Sequence, residues 1–332
     1  MARIVVVGLL ILFLAGCQAA ATGTRRPAGE GAGDADPLAR LLRALPGDYD
    51  NHEQVAHAAA TRKSDGAIAP LQVQHAVRIV ESGHDGATLL WRLTIAGRPT
   101  TAVWLLRVQA TSDGRHLRLL PFRPLDAAIA QKQFADPATA FHFDATQWAA
   151  LEPCAQSGQW DNAAFVASAS VEACSALLPG LGQDAALLPL RFSFAQDMLH
   201  VATFADTSRG NDAVEDARRV RWFDGWAAIN GGGPQARSDN NDWHLQSDLH
   251  LSSEGGRVNL RWRDGAASGY SLQLERTAYP ERKLTVLQLE VIEDASGRIV
   301  TYAWADPAVG SLGFNLGWLQ VGFAQQAAAP PP

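Results

Sequence analysis

The chain has 332 residues, 47% of them hydrophobic and 19% charged, with 28 basic against 34 acidic side chains and a net charge of −6. That acidity disfavours nucleic acid as a partner, and the length suffices for one large β domain or two smaller ones.

Residues 1–17 read as an export signal. Arg3 precedes an unbroken apolar run over residues 4–14, shorter than the roughly 20 residues of a membrane-spanning helix. The run ends in Leu14-Ala15-Gly16-Cys17, which resembles a bacterial lipobox. The resemblance implies that Cys17 is acylated, palmitate included, and becomes the first mature residue. Gln18 stands next where an aspartate is absent, which implies an outer-membrane anchor facing the periplasm. Residues 18–37 are Ala, Gly, Thr and Pro with scattered charge, a composition that buries no core and reads as a flexible tether.

The stretch LARLLRALPGDYDNHEQV, residues 38–55, sets Leu38, Leu41, Leu42 and Leu45 at helical spacing, and Pro46 and Gly47 stop the helix. Residues 47–55 then combine acids, a ring, two amides and a histidine, a polar helix start with Asp50 or Asn51 as the cap. The same block resembles the opening motif of the CpcT/CpeT family of chromophore lyases, G-x-[FY]-[DS]-N-x-x-Q, here on Gly47, Tyr49, Asp50, Asn51 and Gln54. Both readings are compatible. The resemblance implies a lipocalin-like barrel, an open-chain tetrapyrrole (bilin) as ligand and attachment of that bilin to a phycobiliprotein cysteine without metal or nucleotide. It also implies that Tyr49, Asn51 and Gln54 lie by the barrel mouth.

Residues 71–108 alternate as half-buried strands. Val73, His75, Val77 and Ile79 share one face, Leu89, Trp91, Leu93 and Ile95 the next, and Ala102, Trp104, Leu106 and Val108 a third. Turns at Ser82-Gly83 and Ala96-Gly97 make this an antiparallel meander. In the resembling family a Tyr-Arg-Gln-Arg strand here contributes to the pocket. The equivalent residues 103–107, VWLLR, keep its final arginine, so Trp104 and Arg107 complete the ligand-binding set. Residues 124–134 and 144–151 have helical composition, with Asp144 as a cap. Cys154 and Cys174 are the even remainder once Cys17 carries lipid, and in an oxidising compartment they are expected to be joined. Their order, with aromatic residues between, also matches the family, and the resemblance covers residues 38–230. Residues 187–194 and 198–205 read as a hairpin, and residues 219–229, with Trp222 and Trp226, as a further strand.

The Gly-rich run at residues 230–241 reads as a linker. Beyond it lie six more alternating runs, at residues 243–251, 257–263, 270–276, 284–292, 299–305 and 312–323. Hairpin turns are expected at Glu254-Gly255-Gly256 and at residues 294–297. This extension, residues 241–323, is either a second small β domain or strands that finish the first, and residues 324–332 read as a disordered tail.

His52-Glu53 and His57 miss the H-E-x-x-H spacing of a zinc helix, since five residues carry the second imidazole about 140° round the helix. No nucleophile elbow, phosphate loop or dinucleotide fingerprint occurs. Ten tryptophans invite a sugar-binding reading, yet most fall on the apolar phase of strands, where a core explains them. The expectation is an all-β protein: an antiparallel lipocalin-like barrel with a few short helices and a C-terminal β extension. Its expected role is that of a membrane-anchored envelope lipoprotein binding a small hydrophobic or tetrapyrrole-like ligand, with no required cofactor. The alternatives are a bilin lyase, whose substrate a periplasm-facing protein does not meet, and a structural lipoprotein whose barrel its own side chains fill.

Overall fold

The computed structural model describes residues 36–61, 70–83, 86–97, 101–126, 128, 143–144, 146–177, 187–203, 214–237 and 239–327. Cys17, the expected export signal and the expected tether lie outside the described residues, as does most of the helix expected over residues 124–134. The three alternating runs become β2 (Val73–Gly83), β3 (Gly86–Ile95) and β4 (Thr101–Ala110), paired antiparallel with Trp91 opposite Trp104. β5 (His116–Pro124), β7 (Gln156–Asp161), β8 (Ala164–Ser168), β9 (Pro189–Ala195), β10 (Met198–Thr203) and β11 (Glu215–Arg219) continue the sheet. β1 (Gly47–Asp50) pairs with β2 on one side and β11 on the other, and β4 pairs with β5, so ten antiparallel strands close into a barrel.

All three expected faces point into this barrel, because successive strand residues alternate in direction. Leu89, Trp91, Leu93, Trp104, Leu106 and Val108 are buried there, and Phe165, Phe192 and Phe194 arrive from the opposite wall. Trp91 meets Phe192 edge-on with centroids 5.0 Å apart, and Tyr49 meets Phe194 at 6.0 Å. Helix α1 (Pro37–Ala44) adds Leu38 and Leu41 to the same core, and Leu45 just beyond its end joins them. The helix is pinned by Trp160, whose indole N–H donates to the Pro37 carbonyl (3.1 Å) while the Arg40 guanidinium lies 3.7 Å from the ring centre.

The helix expected over residues 144–151 is a strand where it is described: β6 (Trp148–Ala150) pairs with β5. Alanine-rich composition is a weak prior, and here burial overrides it. Trp148 covers an outer apolar cluster of Leu90, Val103, Leu105, Leu120 and Phe122. Asp144 caps a turn instead, accepting from the Thr146 N–H at 2.8 Å. Cys154 ends a 3-10 turn (Glu152–Cys154) and Cys174 lies on α3 (Val171–Ser175); the two are joined by a disulfide.

The remaining strands form two four-stranded sheets that share one core. β12 (Trp222–Asn230), β13 (Trp243–Ser252), β18 (Ser311–Asn315) and β19 (Leu319–Gln325) make one, in the order β13-β12-β19-β18. β14 (Glu254–Arg261), β15 (Ala267–Tyr279), β16 (Leu284–Glu293) and β17 (Arg298–Ala305) make the other, in sequence order. Phe223, Ile229 and Leu251 of the first pack on Leu272, Leu274, Leu287 and Leu289 of the second, a sandwich. Among the described residues, none of these strands joins the barrel sheet.

Four readings shift accordingly. β12 belongs to the sandwich, so the chain passes between the two bodies at Val220–Arg221 and not at residues 230–241. Those residues form a braced turn inside the sandwich, with Asn230 Nδ2 donating to the Asn240 carbonyl (2.8 Å). Gly255-Gly256 is no hairpin, since β13 and β14 lie in different sheets and the chain turns a corner there. The run at residues 312–323 is two strands, β18 and β19, joined at Gly317 with φ +83°, and β19 runs two residues into the expected tail.

Candidate functional site

The opening motif forms β1 and the start of α2 (His52–Thr61), and each polar group in it meets a partner from elsewhere in the chain. Tyr49 points into the barrel fully buried, its hydroxyl donating to the Leu45 carbonyl (2.6 Å) and accepting from Arg219 Nη2 (2.6 Å). Burial raises its phenol pKa well above the ordinary range, against the opposing Arg219 charge. The same guanidinium donates to the Ala44 and Pro46 carbonyls, a cation satisfying the open end of α1. A side chain at Gly47 would run into this guanidinium and have to displace it from its carbonyl partners.

Asn51 is buried and fully used. Its Oδ1 accepts from the Val73 N–H (2.7 Å), and its Nδ2 donates to the Leu71 carbonyl (2.9 Å) and Gln54 Oε1 (3.2 Å). Gln54 Nε2 donates to the Val214 carbonyl (2.8 Å), and Asp50 accepts from the His52 N–H, Gln72 and Gln74. The motif therefore fastens α1, β2, β11 and α2 together at one end of the barrel.

Trp104 and Arg107 do not converge on it. They lie three residues apart on β4 and so on opposite faces: Trp104 is buried inside the barrel, with an indole N–H that meets no acceptor among the described residues, whereas Arg107 is exposed outside. Arg107 lines a small outer cleft with Glu81, Thr88 and Gln109. A buried relay that the sequence did not announce runs from Trp91 Nε1 to His75 Nδ1 (3.1 Å) and from His75 Nε2 to Glu215 (3.0 Å). Because the indole can only donate, the imidazole carries its proton on Nε2 and gives it to the carboxylate.

α2 also faces the sandwich. His52 Nε2 lies 3.3 Å from Glu275 Oε2; that hydrogen bond raises the imidazole pKa and lowers the carboxyl one. Glu53 pairs with Arg218 (2.7 Å), and Trp222 donates to Asp48 (2.9 Å). Gly255, at φ +81°, leaves room for the His52 ring, which a Cβ would meet at 2.6 Å. Behind this contact Glu254 is buried, 3.6 Å from Arg276, and desolvation pushes its pKa up to about 7 against the Arg276 charge. Sequence spacing pointed to His52 only as a failed metal ligand; its partner is 223 residues away.

The class that this architecture defines is a closed ten-stranded antiparallel barrel joined through a polar contact to a β-sandwich. No protein-family model, curated protein or solved structure matches the chain.

Proposed function

We propose that this chain is a lipid-anchored envelope lipoprotein whose barrel is a packed scaffold and not a ligand container. The observation that supports it is the fully buried set Tyr49, Trp91, Trp104, Phe165 and Phe192, which occupies the interior a bilin would need. The motif residues agree, since Tyr49, Asn51 and Gln54 spend their hydrogen bonds on the fold. Absorbance and fluorescence titration of the full chain with biliverdin and haem is the test. No saturable change at micromolar protein is the expected result. A second reading, the small-ligand barrel, rests on the buried Trp104 indole N–H, which meets no acceptor among the described residues. Saturable binding that Trp104→Phe abolishes would replace the scaffold by that container. The anchor is tested separately: Cys17→Ser is expected to move the protein from the membrane fraction to the soluble one, and retention at high salt would place the anchor elsewhere.

A further inference from the structure

The outer face of the β14-β15-β16-β17 sheet is unlike an ordinary solvated strand face. On the edge strand β17, Tyr302 and Trp304 stand on this face 55% and 62% exposed, opposite Glu290 and Gln288 of β16. Those two polar residues share the face yet are only 3% and 6% exposed. Gln288 Nε2 donates to Glu290 Oε1 (2.6 Å), and the Tyr279 hydroxyl donates to Gln288 Oε1 (3.3 Å). Gln288 is the one partner Glu290 has among the described residues, so its carboxylate is buried without a cation. At the end of the face, Tyr279, Arg282, Tyr302 and Trp304 help to bound an open cleft of about 470 Å³.

Each part of this arrangement excludes a class of occupant. A wholly apolar partner would take Glu281 and Arg282 out of water with nothing in exchange. A polyanion would meet the exposed carboxylate of Glu281 in the cleft. A polyhydroxylated ring satisfies both sides of the chemistry: its C–H edges stack on the negative faces of Tyr302 and Trp304, and its hydroxyls donate to the Glu281 carboxylate and accept from Arg282 at the cleft. Two residues of strand separate the ring bases by about 6.6 Å, so one extended chain can touch both aromatics.

We propose that this cleft binds a neutral, extended polysaccharide, with Tyr302 and Trp304 as stacking platforms and the exposed Glu281 and Arg282 as hydroxyl partners. The site lies wholly on the sandwich and is independent of what the barrel holds.

The full chain in detergent is titrated calorimetrically with cellohexaose and with chitohexaose, and sedimented with insoluble chitin. Saturable binding to at least one probe is expected, and the probe that responds identifies the source of the sugar. Trp304→Ala and Tyr302→Ala should each weaken it roughly tenfold with an unchanged melting temperature, a change equal to about 1.4 kcal/mol. Trp226→Ala, exposed on the other sheet of the sandwich, serves as the control and should bind as wild type. The proposal is overturned if none of the three probes binds, or if Trp304→Ala and Tyr302→Ala both retain wild-type affinity.

Discussion

The barrel and the sandwich use aromatic residues in opposite ways. Inside the barrel, Trp91, Trp104, Tyr49, Phe165 and Phe192 are fully buried, while the sandwich core is largely Leu and Val and sends Trp222, Trp226, Tyr302 and Trp304 toward solvent. Geometry explains the first half of the contrast. Ten strands enclose a lumen too wide for aliphatic side chains alone, so large rings fill it, whereas two sheets about 10 Å apart are bridged by aliphatic side chains. Trp222 has a reason to be at the surface, its hydrogen bond to Asp48, but no hydrogen bond or ring contact accounts for Tyr302 and Trp304 among the described residues, and that directs attention to binding.

The contrast breaks most visibly through truncation. Trp91→Ala should cost about 3–5 kcal/mol in denaturant unfolding, a cavity plus a stranded His75, whereas Trp304→Ala should stay within about 0.5 kcal/mol of wild type. Equal losses at the two positions would end the distinction. Next in size is the disulfide: Cys154→Ala with Cys174→Ala frees a 20-residue loop and should cost about 3 kcal/mol in the chain-entropy view, seen as a lower melting temperature.

The polar contact between the two bodies sharpens the comparison through pH. Glu254 has a folded pKa of about 7 against 4.5 in the unfolded chain, so the folded state keeps a proton that the unfolded state releases. Its stabilising contribution is complete below pH 4.5 and is lost as pH rises through 7. Glu254→Gln should thus stabilise the protein at pH 8 by on the order of 1–3 kcal/mol, less whatever Arg276 loses as a partner, and change little at about pH 4. Melting curves at about pH 4, 6 and 8 measure it; parallel pH profiles for variant and wild type would contradict the assignment.

Much of the barrel was legible because one side of each strand faces a core. Residues 73–79, 89–95 and 102–108 show that alternation, and the structure turns all three faces inward. β11 was not legible: its sequence EDARR buries only Ala217, so no period emerges. β16 illustrates a further limit, since Val286 and Leu287 are both buried and apolarity alone does not say which side is the sandwich core. The motif at residues 47–54 was visible as an unusual density of polar groups. Its work was hidden, because the partners of Tyr49, Asn51 and Gln54 come from residues 71–73, 214 and 219. The tryptophans as a group read as core by phase, and only the structure, which leaves β17 at a sheet edge, shows Trp304 exposed.

The seat of β1 between β2 and β11 also constrains how the protein is made. Tyr49 and Arg219, neighbours across that seam, are 170 residues apart in the chain. A ribosome adding roughly 5–20 residues per second takes on the order of ten seconds or more to cover the distance. Until β11 emerges the nascent sheet has two open edges, each a template for pairing with another chain. A fragment ending before Glu215 is accordingly an unclosed ribbon, and a helper that shields strand edges should matter more to this barrel than one that shields an apolar surface.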